Sequence, residues 1–365
     1  MNIVQGVDAA SPVLEVRDLR KDFVLYKSLF TGNVSAVHAV DGLSFSIGRG
    51  ETLGLVGESG CGKSTVGRMI MRLVQPTSGT ITLEGEDITA LSARELRPYR
   101  RRMQIVFQDP FASLNPRMTA ADIVAEPLVI QGMAKGADLR ARVADLFDKV
   151  GLPASAMGKY AHEFSGGQRQ RLGIAKALSV SPSLIVCDEA VSALDVSIQA
   201  QIINLLVDLQ QEIGVSYLFI SHDLAVVEHI SHRVAVMYLG RLVETADRSA
   251  LFGRALHPYT EALLSAAPEP DLDVDTSHRI VLSGDVPSPI LPPSGCHFHT
   301  RCPYAMRRCE SERPLLTELE PGHWAACHLH AHGTIWPLRR PVSDDPAEAP
   351  LRDAATSSVL AQTLQ

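Results

Sequence analysis

The stretch Thr52-Leu53-Gly54-Leu55-Val56-Gly57-Glu58-Ser59-Gly60-Cys61-Gly62-Lys63-Ser64-Thr65 decides the fold. Its opening, 52–56, reads as a buried strand that runs into a glycine-rich loop, and the loop opens a helix from Lys63 to about Leu73. In that setting successive backbone N–H groups can turn inward at phosphates, and the helix N-terminus adds the positive end of its dipole. The spacing assigns Lys63 to the β and γ phosphates and the Ser64 hydroxyl to Mg²⁺. Gly57, Ser59, Gly60, Cys61, Gly62 and Thr65 complete a candidate ATP cradle. A glycine-rich turn without ligand is the bland alternative, and the motifs that follow weigh against it.

Outward from this loop, strand and helix signals alternate over the first 260 or so residues, as in an α/β fold with a largely parallel sheet. Residues 13–19, 43–47, 80–83, 103–107, 184–187 and 215–220 read as further strands, with Thr77-Ser78-Gly79 and Glu84-Gly85-Glu86 as turns. Between Pro110 and about Val180 the pattern becomes helical, as in 139–150 with apolar Val143, Leu146, Phe147 and Val150. The chain therefore divides into an N-terminal segment, 1–12, and an ATPase domain, 13–265, with an inserted helical subdomain at about 110–180. Behind a proline-punctuated linker comes a small loop-rich module, 266–335, and then an aperiodic tail, 336–365, that reads as disordered.

Composition sets outer bounds. Single cores stop growing at roughly 250 to 300 residues, so 365 residues imply one large unit and a smaller one. A net charge of −7 leaves no basic footprint for nucleic acid. No apolar run approaches the roughly 20 residues needed to cross a bilayer, and the N-terminus lacks the pattern of a signal peptide. These features place the protein in the cytoplasm, with any membrane contact made through partners.

A second constellation lies at Leu184-Ile185-Val186-Cys187-Asp188-Glu189, which ends a buried apolar strand in two carboxylates. Strand ends are where parallel sheets bind ligands. Asp188 is the candidate to hold Mg²⁺ through water, and Glu189 the general base that polarises the attacking water.

At Phe164-Ser165-Gly166-Gly167-Gln168 the chain resembles the ATP-binding subunits of ABC transporters, whose signature sequence more commonly begins with Leu. The resemblance implies a P-loop NTPase core with a parallel-sheet domain, an inserted helical signature subdomain and a small C-terminal cysteine-containing module. It implies that Ser165, Gly166, Gly167 and Gln168 of one subunit close on the γ-phosphate held by another, so a full site requires a dimer. It further implies that Gln108 is the glutamine loop, touching Mg²⁺ or water, and that His222 is the switch histidine. Ser192-Ala193-Leu194-Asp195 corresponds to the loop that communicates across the dimer, and Phe23 to the adenine-stacking aromatic, with a buried strand-end Phe as the alternative. Ala190 departs from the usual proline after the catalytic glutamate, which could loosen Glu189.

Further segments narrow the resemblance to oligopeptide and dipeptide importer ATPases: Gln108-Asp109-Pro110-Phe111-Ala112-Ser113-Leu114-Asn115-Pro116-Arg117, Val196-Ser197-Ile198-Gln199-Ala200-Gln201, Leu256-His257-Pro258-Tyr259-Thr260, Pro287-Ser288-Pro289 and Arg301-Cys302-Pro303. Relatives with this extension also import nickel, glutathione or other small solutes. The implied partners are a second ATPase, commonly a paralogue, two transmembrane permeases and an extracytoplasmic solute-binding protein. The implied place is the cytoplasmic face of the inner membrane. A non-transport ABC ATPase is the rival reading, but the long coiled-coil insertions or tandem ATPase units usual in that class are not seen.

Two of the six cysteines, Cys61 and Cys187, fall within the ATPase motifs, and four cluster late as Cys296-x5-Cys302-x6-Cys309-x17-Cys327. In a reducing compartment such a group reads better as metal or cluster ligands than as disulfides. Four thiolates suit a [4Fe–4S] cluster, which some members of the resembled subfamily carry. Zinc, with His297, His299 and His328 as competing ligands, and unliganded thiols are the alternatives. A redox sensor that regulates the ATPase would centre on this module. The run His328-x-His330-x-His332 reads as a solvated tail.

Overall fold

The computed structural model describes residues 11–27, 34–109, 113–266 and 280–333. Most of the N-terminal segment, Pro110, Phe111 and Ala112 of the glutamine-loop stretch, and the expected disordered tail lie outside the described residues.

The first strands are β1 (Leu14–Lys27), β2 (Val34–Ile47), β3 (Thr52–Val56), β4 (Ser78–Leu83) and β5 (Glu86–Asp87). They are followed by β6 (Met103–Val106), β7 (Leu184–Asp188), β8 (Ser216–Ile220), β9 (Arg233–Tyr238) and β10 (Arg241–Asp247), then β11 (Thr317–Glu320) and β12 (His323–Ala325). Among the described residues, the main sheet runs β11-β12-β10-β9-β3-β8-β7-β6 and a second sheet runs β2-β1-β4-β5.

Five strands of the main sheet, β6, β7, β8, β3 and β9, pair in parallel. The expectation of a largely parallel sheet holds for this centre, where β3, β7 and β8 are buried along their whole length. Continuous burial explains their sequences, since strands covered on both faces can be apolar without alternation. The second, antiparallel sheet is unanticipated: β1 and β2 pair from Leu14↔Ile47 to Lys27↔Val34, well beyond the short apolar runs read as strands. Likewise Ser78 and Gly79, read as a turn, already belong to β4.

Beyond β9 the sheet turns antiparallel through a two-residue hairpin, with Tyr238 opposite Arg241. Its turn residues Leu239 (φ 41°) and Gly240 (φ 79°) both take left-handed backbone, the geometry that matches the twist of a tight hairpin. The helical region carries Ala120–Ile130, Gly136–Lys149 and Gly166–Leu178, which bury Ile123, Val124, Val143, Phe147 and Leu172 in a core continuous with β7 and β8.

The late module is stitched onto this frame. β12 joins the main sheet beside β10, with Glu244 opposite Ala325 and Thr245 opposite Trp324. Phe298 packs against Tyr238 and Tyr259 at ring-centroid separations of 5.3 and 5.4 Å. At the seam, the fully buried Glu244 carboxylate accepts from the Leu256 and His257 N–H groups at 2.7 and 2.8 Å and pairs with His323 Nε2 at 2.7 Å. His330, expected in a solvated tail, is instead buried and bonds the Leu256 carbonyl. Removing Glu244 would strand its buried donors, so Glu244→Ala should cost about 3 kcal/mol of stability. A melting temperature equal to the parent's would show that the seam does not depend on this carboxylate.

Candidate functional site

The loop after β3 is shaped by close backbone approach. A Cβ at Gly57 would stand 2.1 Å from the Met237 carbonyl oxygen on β9, and one at Gly62 2.1 Å from the Ala39 carbonyl oxygen on β2. Both positions also hold positive φ, 150° and 108°, so glycine is required twice over. The Gly240 N–H donates to the Cys61 carbonyl at 3.0 Å, which ties the β9–β10 hairpin to the loop. The helix Lys63–Ile70 then begins with Lys63 itself buried, its Nζ donating to the Gly57 and Glu58 carbonyls at 2.7 and 3.0 Å. The ammonium is thereby folded over the loop, above the N–H groups that would face a phosphate.

The carboxylates at the end of β7 meet this loop. Ser64 Oγ donates to Asp188 Oδ1 at 2.7 Å. Burial pushes the Asp188 carboxyl above its usual pKa, and the Glu189 charge adds to this, while the Ser64 bond, Arg68 and Lys63 pull the other way. A hydroxyl and a strained anion side by side form a hard-oxygen pair that fits Mg²⁺, whose charge would relieve the burial penalty. Next to them Cys187 is sealed in the sheet, its thiol pushed up to about 12 by burial.

Glu189 breaks from the strand with φ 51°. Its N–H donates to the Ile220 carbonyl at 3.0 Å, and its own carbonyl accepts from Ser192 N–H and Oγ at 3.2 and 3.0 Å. The backbone is thus pinned on both sides, which counters the loosening expected from Ala190, itself buried. The Glu189 carboxylate receives Gln108 Nε2 at 2.9 Å and lies 3.5 Å from His222 Nδ1. Gln108 also reaches Ser192 Oγ at 3.3 Å. Two side chains from separate segments, Gln108 and His222, therefore converge on the Glu189 carboxylate, and Ser192 holds both the Glu189 carbonyl and Gln108. A carboxylate so oriented and still partly open to solvent can accept a proton from a water.

The signature opens the helix Gly166–Leu178 with a capping box: Ser165 Oγ accepts from Gln168 N–H at 3.4 Å, and Gln168 Oε1 from Ser165 N–H at 3.0 Å. Ser165, Gly166 and Gln168 remain exposed, and Gly167 lies against Ile198 so closely that a Cβ would come within 2.5 Å of its Cγ2. Of the neighbouring loop, Ala193 and Asp195 are exposed, and Leu194 touches the Gly166 position. Phe23 is 38 % exposed on β1 with Lys21 Nζ 4.9 Å from its ring centroid, so the buried strand-end alternative does not apply.

All six cysteines are free thiols. Cys296 donates its N–H to the Cys309 carbonyl at 2.8 Å, and the thiols of Cys296, Cys302, Cys309 and Cys327 lie within electrostatic reach of one another. Burial raises the Cys296 and Cys327 thiols and lifts Cys302 to about 12. Yet among the described residues no three His, Cys, Asp or Glu are placed to hold a metal ion. The expectation of a cluster or zinc is met in neighbourhood and not in ligand geometry. The competing histidines are engaged elsewhere: His297 with the Leu239 carbonyl, His299 with that of Cys296 and His328 with that of Glu312.

Sequence reasoning missed two groups at the loop. Glu58 donates its N–H to the Tyr259 hydroxyl at 2.8 Å and accepts from the Arg301 guanidinium with both carboxylate oxygens. Arg301 and Tyr259 lie in motifs singled out for their resemblance alone, and nothing local in the sequence links either to position 58.

Comparisons with known proteins place the chain in a family. The family model "ABC transporter" matches residues 40–192, and "Oligopeptide/dipeptide transporter, C-terminal region" matches 243–309. The chain is 55 % identical over 319 residues to a probable peptide ABC transporter ATP-binding protein, y4tS, of Sinorhizobium fredii, covering 87 % of this chain and 90 % of that one. It is 53 % identical over 321 residues to the oligopeptide transport ATP-binding protein AppF of Bacillus subtilis, covering 87 % and 98 %. A solved dimeric ATP-binding cassette, MJ0796, in a post-hydrolysis state with ADP and Pi, superposes with a TM-score of 0.58 at 27 % identity, over 65 % of this chain and 99 % of that one. Among the described residues no helix is long and apolar enough to cross a membrane. With the phosphate loop, the strand-end carboxylates and the signature in one frame, the chain belongs to the ATP-hydrolysing, ATP-binding subunits of ABC transporters, in the branch that carries the oligopeptide/dipeptide transporter C-terminal region.

Proposed function

We propose that this subunit powers the import of oligopeptides or dipeptides from the cytoplasmic face of the inner membrane. The observation that carries this reading is the similarity, over 87 % of the chain and through the late module, to proteins named for peptide import. In this reading the chain pairs with a second ATPase, a paralogue, beneath two transmembrane permeases fed by an extracytoplasmic solute-binding protein. The signature supports pairing, since Ser165, Gly166 and Gln168 are exposed at the start of a helix, where another subunit's nucleotide could meet them.

Lys63 and the loop N–H groups bind the phosphates, while Ser64 and Asp188, with Gln108, would hold Mg²⁺. That ion would supply charge neutralisation at the phosphates. Glu189 takes the proton of the attacking water, with Gln108 and His222 orienting its carboxylate; their convergence within 3.5 Å supports these roles. Binding closes the pair and hydrolysis reopens it, so the nucleotide cycle drives the pore. A [4Fe–4S] cluster on Cys296, Cys302, Cys309 and Cys327, or zinc in its place, stands as a separate proposal. Four thiols in one neighbourhood, Cys309 buried and the other three half-buried, support it, their unsuited ligand geometry weighs against it, and no step of the cycle passes through it.

Three measurements test these assignments. Glu189→Gln should still bind ATP but lose turnover by about 100-fold or more; parent-like turnover would remove Glu189 from its role. Affinity purification from detergent-solubilised native membranes should recover two multi-span permeases and a second ATPase. Recovery with ribosomes or DNA alone would overturn transport, and association with a nickel- or glutathione-binding protein would overturn peptide as the cargo. Anaerobically purified protein should contain about four irons and matching acid-labile sulfide per chain if the cluster exists, and their absence would end that reading.

A further inference from the structure

The phosphate loop carries an anion of its own. Glu58 sits directly after Gly57, and a carboxylate there opposes the triphosphate that the loop must attract. In the structure this charge is not left to solvent. Arg301 Nη1 reaches Glu58 Oε1 at 3.1 Å and Oε2 at 2.8 Å, across 243 positions of sequence. The Arg301 side chain is 8 % exposed and that of Glu58 25 %, so the pair is screened far less than a surface ion pair. Burial works against the guanidinium's charge, but Glu58 and the neighbouring Tyr238 hydroxyl outweigh it and raise its pKa. The rest of residue 58 is anchored as well: its N–H goes to the Tyr259 hydroxyl at 2.8 Å and its carbonyl accepts from Lys63 Nζ at 3.0 Å.

The same module wraps the loop from a second direction. Glu58, Ser59, Gly60 and Cys61 share a cavity of about 230 Å³ with Val286, Pro287, Ser288 and Pro289, and the Pro289 carbonyl accepts the His38 N–H at 3.0 Å. Arg301 meets the loop at the Glu58 carboxylate, which it pairs on the side of the module.

We propose that Arg301 is a positioning residue for nucleotide binding: by pairing with Glu58 it cancels the loop's own negative charge and fixes the Glu58 side chain away from the phosphates. This rests on the reading of the glycine-rich loop as the ATP site. The role is indirect, so it must vanish when the carboxylate is gone, which a merely structural contribution to folding would not do.

The test is a double-mutant cycle on the full-length chain, with the Kd for ATP measured by calorimetry and folding checked by thermal melting. Arg301→Met should weaken ATP binding about tenfold in the parent background, yet shift it by less than about threefold when introduced into Glu58→Gln. Equal weakening in both backgrounds, or none in the parent, overturns the proposal. If Arg301→Met does not fold alone, Arg301→Lys takes its place. Because it retains the charge, it should stay within about threefold of the parent, and a loss of about tenfold in both backgrounds would again overturn the proposal. A parent that itself fails to bind ATP would instead overturn the assignment of the loop.

Discussion

The structure depends on one steric constraint, the contact of the phosphate loop with the two backbones behind it. Met237 on β9 and Ala39 on β2 present carbonyl oxygens where side chains at positions 57 and 62 would be, and each lies 2.1 Å from the Cβ that any other residue would carry. Only with both glycines can the loop curl tightly enough to turn its N–H groups inward while Lys63 folds back over it. The loop touches both sheets, β9 belonging to the main one and β2 to the other, and the sheets also meet directly where the Asp41 N–H donates to the Gly240 carbonyl and Arg241 pairs with Asp41.

From that anchor the chemistry follows the topology. Parallel pairing of β3 with β8 and of β7 with β8 brings the ends of three strands to one edge of the sheet, and each strand delivers one part of the site. β3 supplies the loop, β7 supplies Asp188 and Glu189, and the chain leaving β8 supplies His222. Gln108 arrives from the end of β6, the next parallel neighbour of β7. Residues far apart in sequence are thus set side by side by strand order, and the Glu189 carboxylate becomes the meeting point because its backbone is tied to Ile220 on one side and Ser192 on the other.

This order was largely legible in the chain, for physical reasons. A buried parallel strand announces itself as an uninterrupted apolar run, as in 184–187, and a phosphate loop as glycines at fixed spacing before a helix. The place of the signature was legible too, while the capping box by which Ser165 and Gln168 open its helix emerges in the structure. Other elements resist such reading. The β9–β10 hairpin turns on Leu239 in left-handed backbone, a conformation that turn chemistry reserves for Gly, Asn or Asp, so Gly240 is left as a weak local signal for it. His330 gives a polar, tail-like pattern but is buried by a contact with the Leu256 carbonyl, which sequence spacing cannot show. The late cysteines show the opposite failure: their grouping was legible, but the distances that would make four thiols a ligand set depend on tertiary geometry that spacing does not encode.

The same limit explains why the late module reads as an appendage and packs as a wall of the site. Its contributions to the loop are single side chains, Arg301 from one end and Tyr259 from the helix that precedes the module, each meeting Glu58 on a different atom. A loop held by its own glycines needs no such help to bind an anion, but a loop that carries a carboxylate does. The acidic residue and the distant arginine are then one device. Glu58 is tolerable beside phosphate only because the module is present, and the module's strand β12, its aromatic contact through Phe298 and the buried Glu244 seam hold Arg301 in place. A cassette of this sequence without its C-terminal module would therefore lose more than a docking surface, since it would keep the anion and lose the cation that balances it.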